Sequence, residues 1–344
     1  MTPELRAATS THPGDVIELA SIDDYLGPAR QRFFGSGYRR STYRIHPLGT
    51  DTDADLAAAV DVAYPTDWSR KKADSDLRPH LSTVDVMILG VRSAEALLTD
   101  LVGLTPDEVQ TAMIRKLTVR AGTRPEESLN GLPLRATLKK TTPALDGEDG
   151  EVDSTIIVQV GVMQTRVVLR HPAPSAPAAG VIDYALLDED PTRHWGSGYR
   201  EDEQSIRTVT ADTESLVAHA SIGLHHSGAC GTRASHAPGP ATFIDAFVSL
   251  LQLGQVLMYE LDQIDRAHSD TLWMQQLILR PSTASTSRET TAAETGAELR
   301  IADHQLLDLP TGTWRNLDFR GESGGITMSA TFAHRIRHLE GNTR

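Results

Sequence analysis

Two aspartates stand where a carboxylate can do acid–base work. Asp245 lies at the head of the most apolar stretch of the chain, in the run Gly-Pro-Ala-Thr-Phe-Ile-Asp-Ala-Phe. Desolvation there raises a carboxyl pKa and makes the group a usable proton donor or acceptor. The same place also suits a helix cap or an arginine partner. Ser249 and Gln252 follow one and two helical turns on, which draws a polar stripe along an apolar rod and suggests substrate contacts. Asp85 occupies the equivalent position in an earlier apolar run, with Arg92 after it as an available internal partner and His80 before it. Pairing with Arg92 makes Asp85 structural, whereas an imidazole held near the carboxylate keeps catalysis open.

A second candidate feature is a repeated pentapeptide. Gly35-Ser36-Gly37-Tyr38-Arg39 recurs as Gly196-Ser197-Gly198-Tyr199-Arg200, preceded by an aromatic residue, Phe34 or Trp195, each time. Glycine-flanked amides with one tyrosine and one arginine suit gripping an anion or polarising a carbonyl oxygen. Gly37, Arg39, Gly198 and Arg200 are therefore expected substrate contacts, and Tyr38 and Tyr199 expected catalytic groups. A tight turn explains the glycines alone, but not why Tyr and Arg recur with them. Arg39-Arg40 and Arg70-Lys71-Lys72 are the densest basic spots, read either as a solvated face or as a receiver for a sugar phosphate or the phosphopantetheine end of a carrier. His225, His226 and His236 flank Cys230, the single cysteine, in HHSGACGTRASH, but without a recognised ligand spacing, so no metal is expected. No Walker loop, dinucleotide fingerprint or GxSxG elbow is present, and no cofactor is expected.

These residues need elements to hold them, and the elements repeat. A shift of 160 residues superimposes Asp85 on Asp245, Leu97 on Leu257, Leu117 on Leu277 and Arg120 on Arg280 without a gap. Each pentapeptide precedes an extended Thr/Val/Arg-rich segment, residues 41–45 in one half and 205–209 with 215–222 in the other. A long helix follows, about 83–101 and 242–264, too apolar all round for a surface helix, so each must be wrapped by a sheet. Strand-like runs come next, at 112–120, 134–139 and 154–171, then at 272–280, 297–301 and 326–336. Polar stretches at 140–153 and 281–296 read as loops without chemistry. The order resembles the hotdog fold. The expectation is an α+β tandem (double) hotdog, two antiparallel sheets each wrapping a long central helix: residues 1–171, a Pro/Ala linker at 172–180, and 181–344.

Composition limits the partners. A net charge of −13 repels a phosphate backbone, so nucleic acid is not expected. The start of the chain lacks a basic region followed by an apolar run, and Asp245, Ser249, Gln252, Gln255 and Glu260 interrupt the stretch from Phe243 to Leu261. A cytoplasmic protein with no membrane partner is expected.

The segment from Glu18 to Tyr38, above all the runs IDDYLG and RFFGSGYR, resembles the start of the bacterial avirulence D protein family. That resemblance implies an enzyme of small-molecule signal synthesis, since the family's known member directs formation of syringolides from a β-ketoacyl chain and a pentulose; in actinobacteria, similar proteins look like parts of furan or butenolide pathways. A more distant similarity is to the A-factor synthesis proteins, also expected to be tandem hotdogs, which join a β-ketoacyl thioester to a phosphorylated ketose. The run around Asp245 looks like the HPALLDA helix start of polyketide dehydratases, but without histidine at the matching place and with Ser249 where Gln or His is usual. The expected activity is condensation of a β-ketoacyl thioester, on acyl carrier protein or CoA, with a ketose or ketose phosphate, with Asp245 as base and the pentapeptide loops stabilising the oxyanion. The rivals are a dehydratase or thioesterase, and a non-catalytic binder of a lipid-like signal. A homodimer is compatible with either.

Overall fold

The computed structural model describes residues 16–49, 54–67, 79–174, 177–226, 235–266, 269, 272–283 and 294–336. The first half contributes β1 (Val16–Ser21), β2 (Thr42–Pro47), β3 (Leu56–Ala63), β4 (Met113–Arg120), β5 (Leu132–Pro143), β6 (Glu151–Val160) and β7 (Met163–Pro172). The second contributes β8 (Glu203–Asp212), β9 (Val217–His225), β10 (Trp273–Pro281), β11 (Glu294–Leu309), β12 (Gly312–Ser323) and β13 (Ile326–Arg335). All pair antiparallel, in the order β1-β8-β9-β11-β12-β13-β10-β4-β7-β6-β5-β3-β2.

Each half curves around one core helix, which is the hotdog arrangement twice over. The first core helix, Thr83–Leu97, packs on β5, β6 and β7, and all its residues are buried. The second, Phe243–Leu261, packs on β9, β11, β12 and β13. It is long and apolar enough to cross a membrane by length and composition, but 83% of that apolar stretch is buried inside the protein. Both helices start at a capping box, Ser82 with Asp85 and Thr242 with Asp245, which satisfies amides the first turn would leave open. Beyond Leu97 the first helix continues as a π-helical turn, Leu98–Val102.

Two features were not expected from the sequence. The halves share one continuous sheet, because β4 and β10 pair antiparallel from Leu117↔Leu279 to Arg120↔Gln276. And β1, at the N-terminal end, lies against β8 of the second half, with Ser21 opposite Arg207. The expected loop at 140–153 is shorter than read: β5 runs to Pro143 and β6 starts at Glu151, forming a hairpin. The expected long strand at 154–171 folds back on itself at Gly161, giving β6 and β7.

Candidate active site

The two pentapeptide loops adopt the same conformation, each ending in a 3-10 turn, Gly37–Arg40 and Gly198–Glu201. Their first glycine is fixed by close packing. A Cβ on Gly35 would stand 2.3 Å from the Ala29 carbonyl oxygen, and one on Gly196 2.4 Å from that of Asp190. The loop amides turn inward: Gly37 and Gly198 donate to the Arg32 and Arg193 carbonyls, and Tyr38 and Tyr199 to those of Phe33 and His194. The expected oxyanion-binding amides are thus already used by the loops themselves.

Each loop is held by the core helix of the other half. Gln252 donates through Nε2 to the Phe34 carbonyl at 3.0 Å and accepts from Arg32 Nη1. Arg92 donates to the carbonyls of Trp195 at 3.0 Å, Leu187 at 2.9 Å and Gly196, with its guanidinium over the Tyr43 ring. Arg92 therefore does not pair with Asp85. A fully buried guanidinium needs several acceptors, and the main chain around Trp195 supplies them.

At the head of the first helix, Asp85 is saturated. Its Oδ1 accepts from the Tyr43 hydroxyl at 2.8 Å; its Oδ2 accepts from Ser82 N at 3.0 Å, Ser82 Oγ at 2.7 Å and the Tyr64 hydroxyl. Burial still pushes its carboxyl pKa up, against those bonds. His80 is not among the donors to Asp85; its carbonyl accepts from Tyr64 at 3.1 Å, and the residue lines a cavity described below.

The head of the second helix is built on the same plan with different chemistry. Asp245 Oδ2 accepts from Thr242 N at 3.0 Å, Thr242 Oγ1 at 2.7 Å and His226 Nε2 at 3.0 Å. Its Oδ1 has no hydrogen-bond partner among the described residues. Burial favours the neutral acid, but the imidazole and the Thr242 bonds outweigh it and hold the Asp245 pKa below its ordinary value. The bond to Asp245 outweighs partial burial and raises the pKa of His226. Asp202, 7% exposed, is pushed up to about 7 by burial and by the Asp245 charge. The His194 ring lies 3.6 Å from Asp202 and is kept neutral by burial, with a pKa of about 3.

The first loop supplies the remaining groups here. Tyr38 is buried and its hydroxyl pKa is raised, chiefly by desolvation and also by the nearby Asp245 and Asp202 charges. Arg39 sits over the Tyr38 ring, and its buried Nε and Nη2 have no hydrogen-bond partner among the described residues. The second loop is committed elsewhere. Arg200 bonds to Glu189 at 2.7 and 2.5 Å and to the Ser41 carbonyl at 2.6 Å, which removes it as an anion grip. Tyr199 is buried, and its hydroxyl makes no well-formed hydrogen bond among the described residues. Ser249 donates to the Ala246 carbonyl, and its Oγ shares a hydrogen bond with Ser323 Oγ, which ties it to the sheet. Arg70, Lys71, Lys72 and Cys230 lie outside the described residues. His236 bonds to Glu95 and to the Ala112 carbonyl, each at 2.9 Å, so it serves the packing between halves.

Sequence reasoning missed His226, Asp202 and His194 as parts of one site. A signal for His226 was present, however. Tyr64 directly follows β3 and His226 directly follows β9, and each bonds the capping aspartate of its half. The offset there is 162 rather than the 160 of the helices, which hid the match.

A cavity opens beside the first loop, between the start of the first core helix and the middle of the second. Arg32, Phe34, Gly35, His80 and Gln252 line it, as do Phe247 and Leu251. It joins the expected residues His80 and Gln252 at one place; Asp85 and Asp245 do not line it.

Solved structures with a similar trace share little sequence. A TesB protein of Mycobacterium avium subs paratuberculosis is 9% identical, covering 85% of this chain and 96% of that one, with a TM-score of 0.38. A double-hotdog protein of Mycobacterium tuberculosis is 12% identical over 94% of this chain and 96% of that one, TM-score 0.38. A MaoC-like dehydratase is 11% identical over 74% and 84%, TM-score 0.36. No curated protein matches the chain. The family is shown by sequence: from residue 17 to residue 337 the chain matches the model of the Pseudomonas avirulence D protein (AvrD), and it belongs to that family.

Proposed function

We propose that the protein is an acyl-thioester enzyme that condenses a β-ketoacyl thioester with a ketose hydroxyl, with its reaction centre at the head of the second core helix. The observation that carries this reading is the Asp245–His226 pair beside Asp202 and the unpartnered Nε and Nη2 of Arg39. Asp245 holds the imidazole and stabilises its protonated form, so the other ring nitrogen of His226 takes the proton from the attacking hydroxyl. The new C–O bond forms as the thioester C–S bond breaks. Arg39 and Tyr38 donate to the oxyanion in place of the occupied loop amides. Asp202, with a pKa near neutrality, returns a proton to the departing thiolate. The same base and acid suit ring closure, in which the acidic α-carbon attacks the ketose carbonyl and water leaves. The substrate classes come from the family resemblance.

A histidine–aspartate pair also suits dehydration, and an activated water would give a thioesterase. One incubation separates the readings. A β-ketoacyl carrier is mixed with the protein, with and without a pentulose, and products are followed by mass spectrometry. An ester or butenolide that forms only with the ketose and vanishes in His226→Ala supports condensation. Thioester loss without the ketose, or loss of water from a β-hydroxyacyl carrier, sinks it. An Asp245→Asn variant with unchanged product levels would favour a non-catalytic binder.

A further inference from the structure

The outer face of the sheet, turned away from the core helices, is basic where the two halves join, in a chain of net charge −13. Along β4, Leu117 and Val119 are fully buried against the core, so Lys116, Thr118 and Arg120 alternate to the outside. Arg166 of β7 stands opposite Thr118 on one side. On the other, the Leu117↔Leu279 pair sets Arg280 of β10 beside Lys116. The three arginines are exposed and Lys116 is half-buried; none of the four side chains makes a hydrogen bond or ion pair among the described residues. Burial, and then the charges of Arg280, Arg166 and Arg120, lower the Lys116 pKa, so the cations act on one another. At the floor of the patch Thr118 is 8% exposed, and its Oγ1 is buried without a partner among the described residues.

The surrounding face supplies no counter-charge to these four. The positions opposite on the next strands are neutral: Thr155, Ile157 and Gln159 on β6, and Thr327, Ser329 and Thr331 on β13. Asp153, further along β6, is taken by Arg170, and Asp318 and Glu322 lie beyond β13 on β12. Like charges on neighbouring strands destabilise a sheet, and an acidic partner reverses that cost. A sheet face offers no cleft for a small anion, and the acids of β12 repel a long polyanion laid across the strands. The patch therefore suits a compact acidic protein.

We infer that this face docks the small acidic carrier protein that brings the acyl thioester, so that the donor is carrier-bound rather than free CoA. The choice of partner rests on the acyl-thioester reading above; the basic face does not. Carboxylates of the carrier meet Lys116, Arg120, Arg166 and Arg280, and a polar group of the carrier meets Thr118 Oγ1. The strands that carry the patch also border the cavity beside the first loop. Ala121 and Gly122, which follow β4, line it, as do Met163 at the start of β7 and Trp273 at the start of β10. A carrier seated on the patch thus holds its pantetheine arm beside that cavity.

Calorimetry of the full chain with the apo form of an acidic bacterial acyl carrier protein, which has no arm, reads the surface alone. Binding is expected at low salt (about 50 mM) and should be about 10-fold weaker or more at about 300 mM. Arg166→Glu, and separately Arg280→Glu, should each weaken it about fivefold or more with a native melting transition, since both side chains are exposed. Arg44→Glu makes the same charge change on β2, at the far edge of the sheet, and should cost about twofold or less. No binding at low salt overturns the inference, as does a loss in Arg44→Glu equal to that at the patch. Tighter binding of a DNA duplex than of the carrier assigns the face to nucleic acid, and a wild-type dimer in sedimentation that either patch variant splits assigns it to a second copy; both overturn it. Carrier binding with no condensation product keeps the docking face and removes the reaction. Product from an acyl-CoA with no carrier binding keeps the reaction and removes the docking face.

Discussion

The heads of the two core helices are copies that took different courses. Both have a hydroxyl cap, an aspartate three residues on and a partner side chain delivered from the residue after a strand. In the first half that partner is Tyr64, and Tyr43 occupies the other oxygen. In the second the partner is His226, the other carboxylate oxygen has no partner among the described residues, and Gln204, which occupies the place of Tyr43, donates to the Asp245 carbonyl instead of the carboxylate. The comparison teaches that a buried aspartate is not by itself a catalytic group. What matters is whether its donors exhaust it or leave it one basic partner and room.

The sharpest way to break the comparison is to mutate both heads alike. Asp245→Asn or His226→Ala is expected to lower kcat by about 10²–10⁴-fold, the usual contribution of positioned acid–base groups, His226→Ala with near-native melting. Asp85→Asn should leave kcat within a few-fold but cost about 1–3 kcal/mol of stability, because several buried donors lose their acceptor. Steady-state kinetics and thermal melts on the same samples decide it, and equal kinetic losses at the two heads would erase the distinction. His226→Tyr, which rebuilds the first head in the second, should fold and be nearly as inactive as His226→Ala.

Next in size are the loop arginines. Arg39→Met is expected to reduce kcat roughly 10- to 100-fold by removing oxyanion donors. Arg200→Met, which breaks the ion pair with Glu189, should change kcat little and lower the melting temperature instead. A reversed pattern would move the reaction centre to the first half.

The pH profile sharpens the assignment of acid and base. His226 must be neutral to accept a proton, so kcat/KM falls as pH drops through its raised pKa. Asp202 must be protonated to donate, so kcat/KM falls again as pH rises through about 7. The expected curve is a bell with its alkaline limb near pH 7, and Asp202→Asn should lose that limb while keeping the acid one.

The smallest effect is on stability. The folded pKa of Asp202, about 7, lies above its ordinary value of 3.8, so the folded state binds the proton more tightly than the unfolded state. Stability from this group therefore falls as pH rises from near 4 to near 7 and is flat above. Asp202→Asn should raise the melting temperature by a few degrees at pH 8 and hardly at all at pH 4.

Much of this asymmetry was legible in the residues. The shared 160-residue shift set Asp85 against Asp245, and helices apolar on every face required enclosure by sheet. The head of the second helix was correctly the more apolar, yet the basic partner was missed because it comes from a loop between strand and helix, where length drifted by two residues. The continuous sheet was not legible either: β4 and β10 read as ordinary strands, and their pairing depends on edges that only the folded halves expose. Arg92 misled for a simpler reason. Seven residues along a helix suggests an intrahelical partner, but a buried guanidinium is satisfied by whatever main chain packs over it.

That last contact has a consequence for how the two halves could diverge. Arg92 and Gln252 hold the opposite loops by donating to backbone carbonyls. A clasp of that kind is indifferent to the side chains on the loop it grips. Phe33 could become His194, and Phe34 become Trp195, or the reverse, without loosening the joint. Specialisation of one loop towards reaction and of the other towards support therefore places no demand on the helix that grips it, whether that helix offers Arg92 or Gln252.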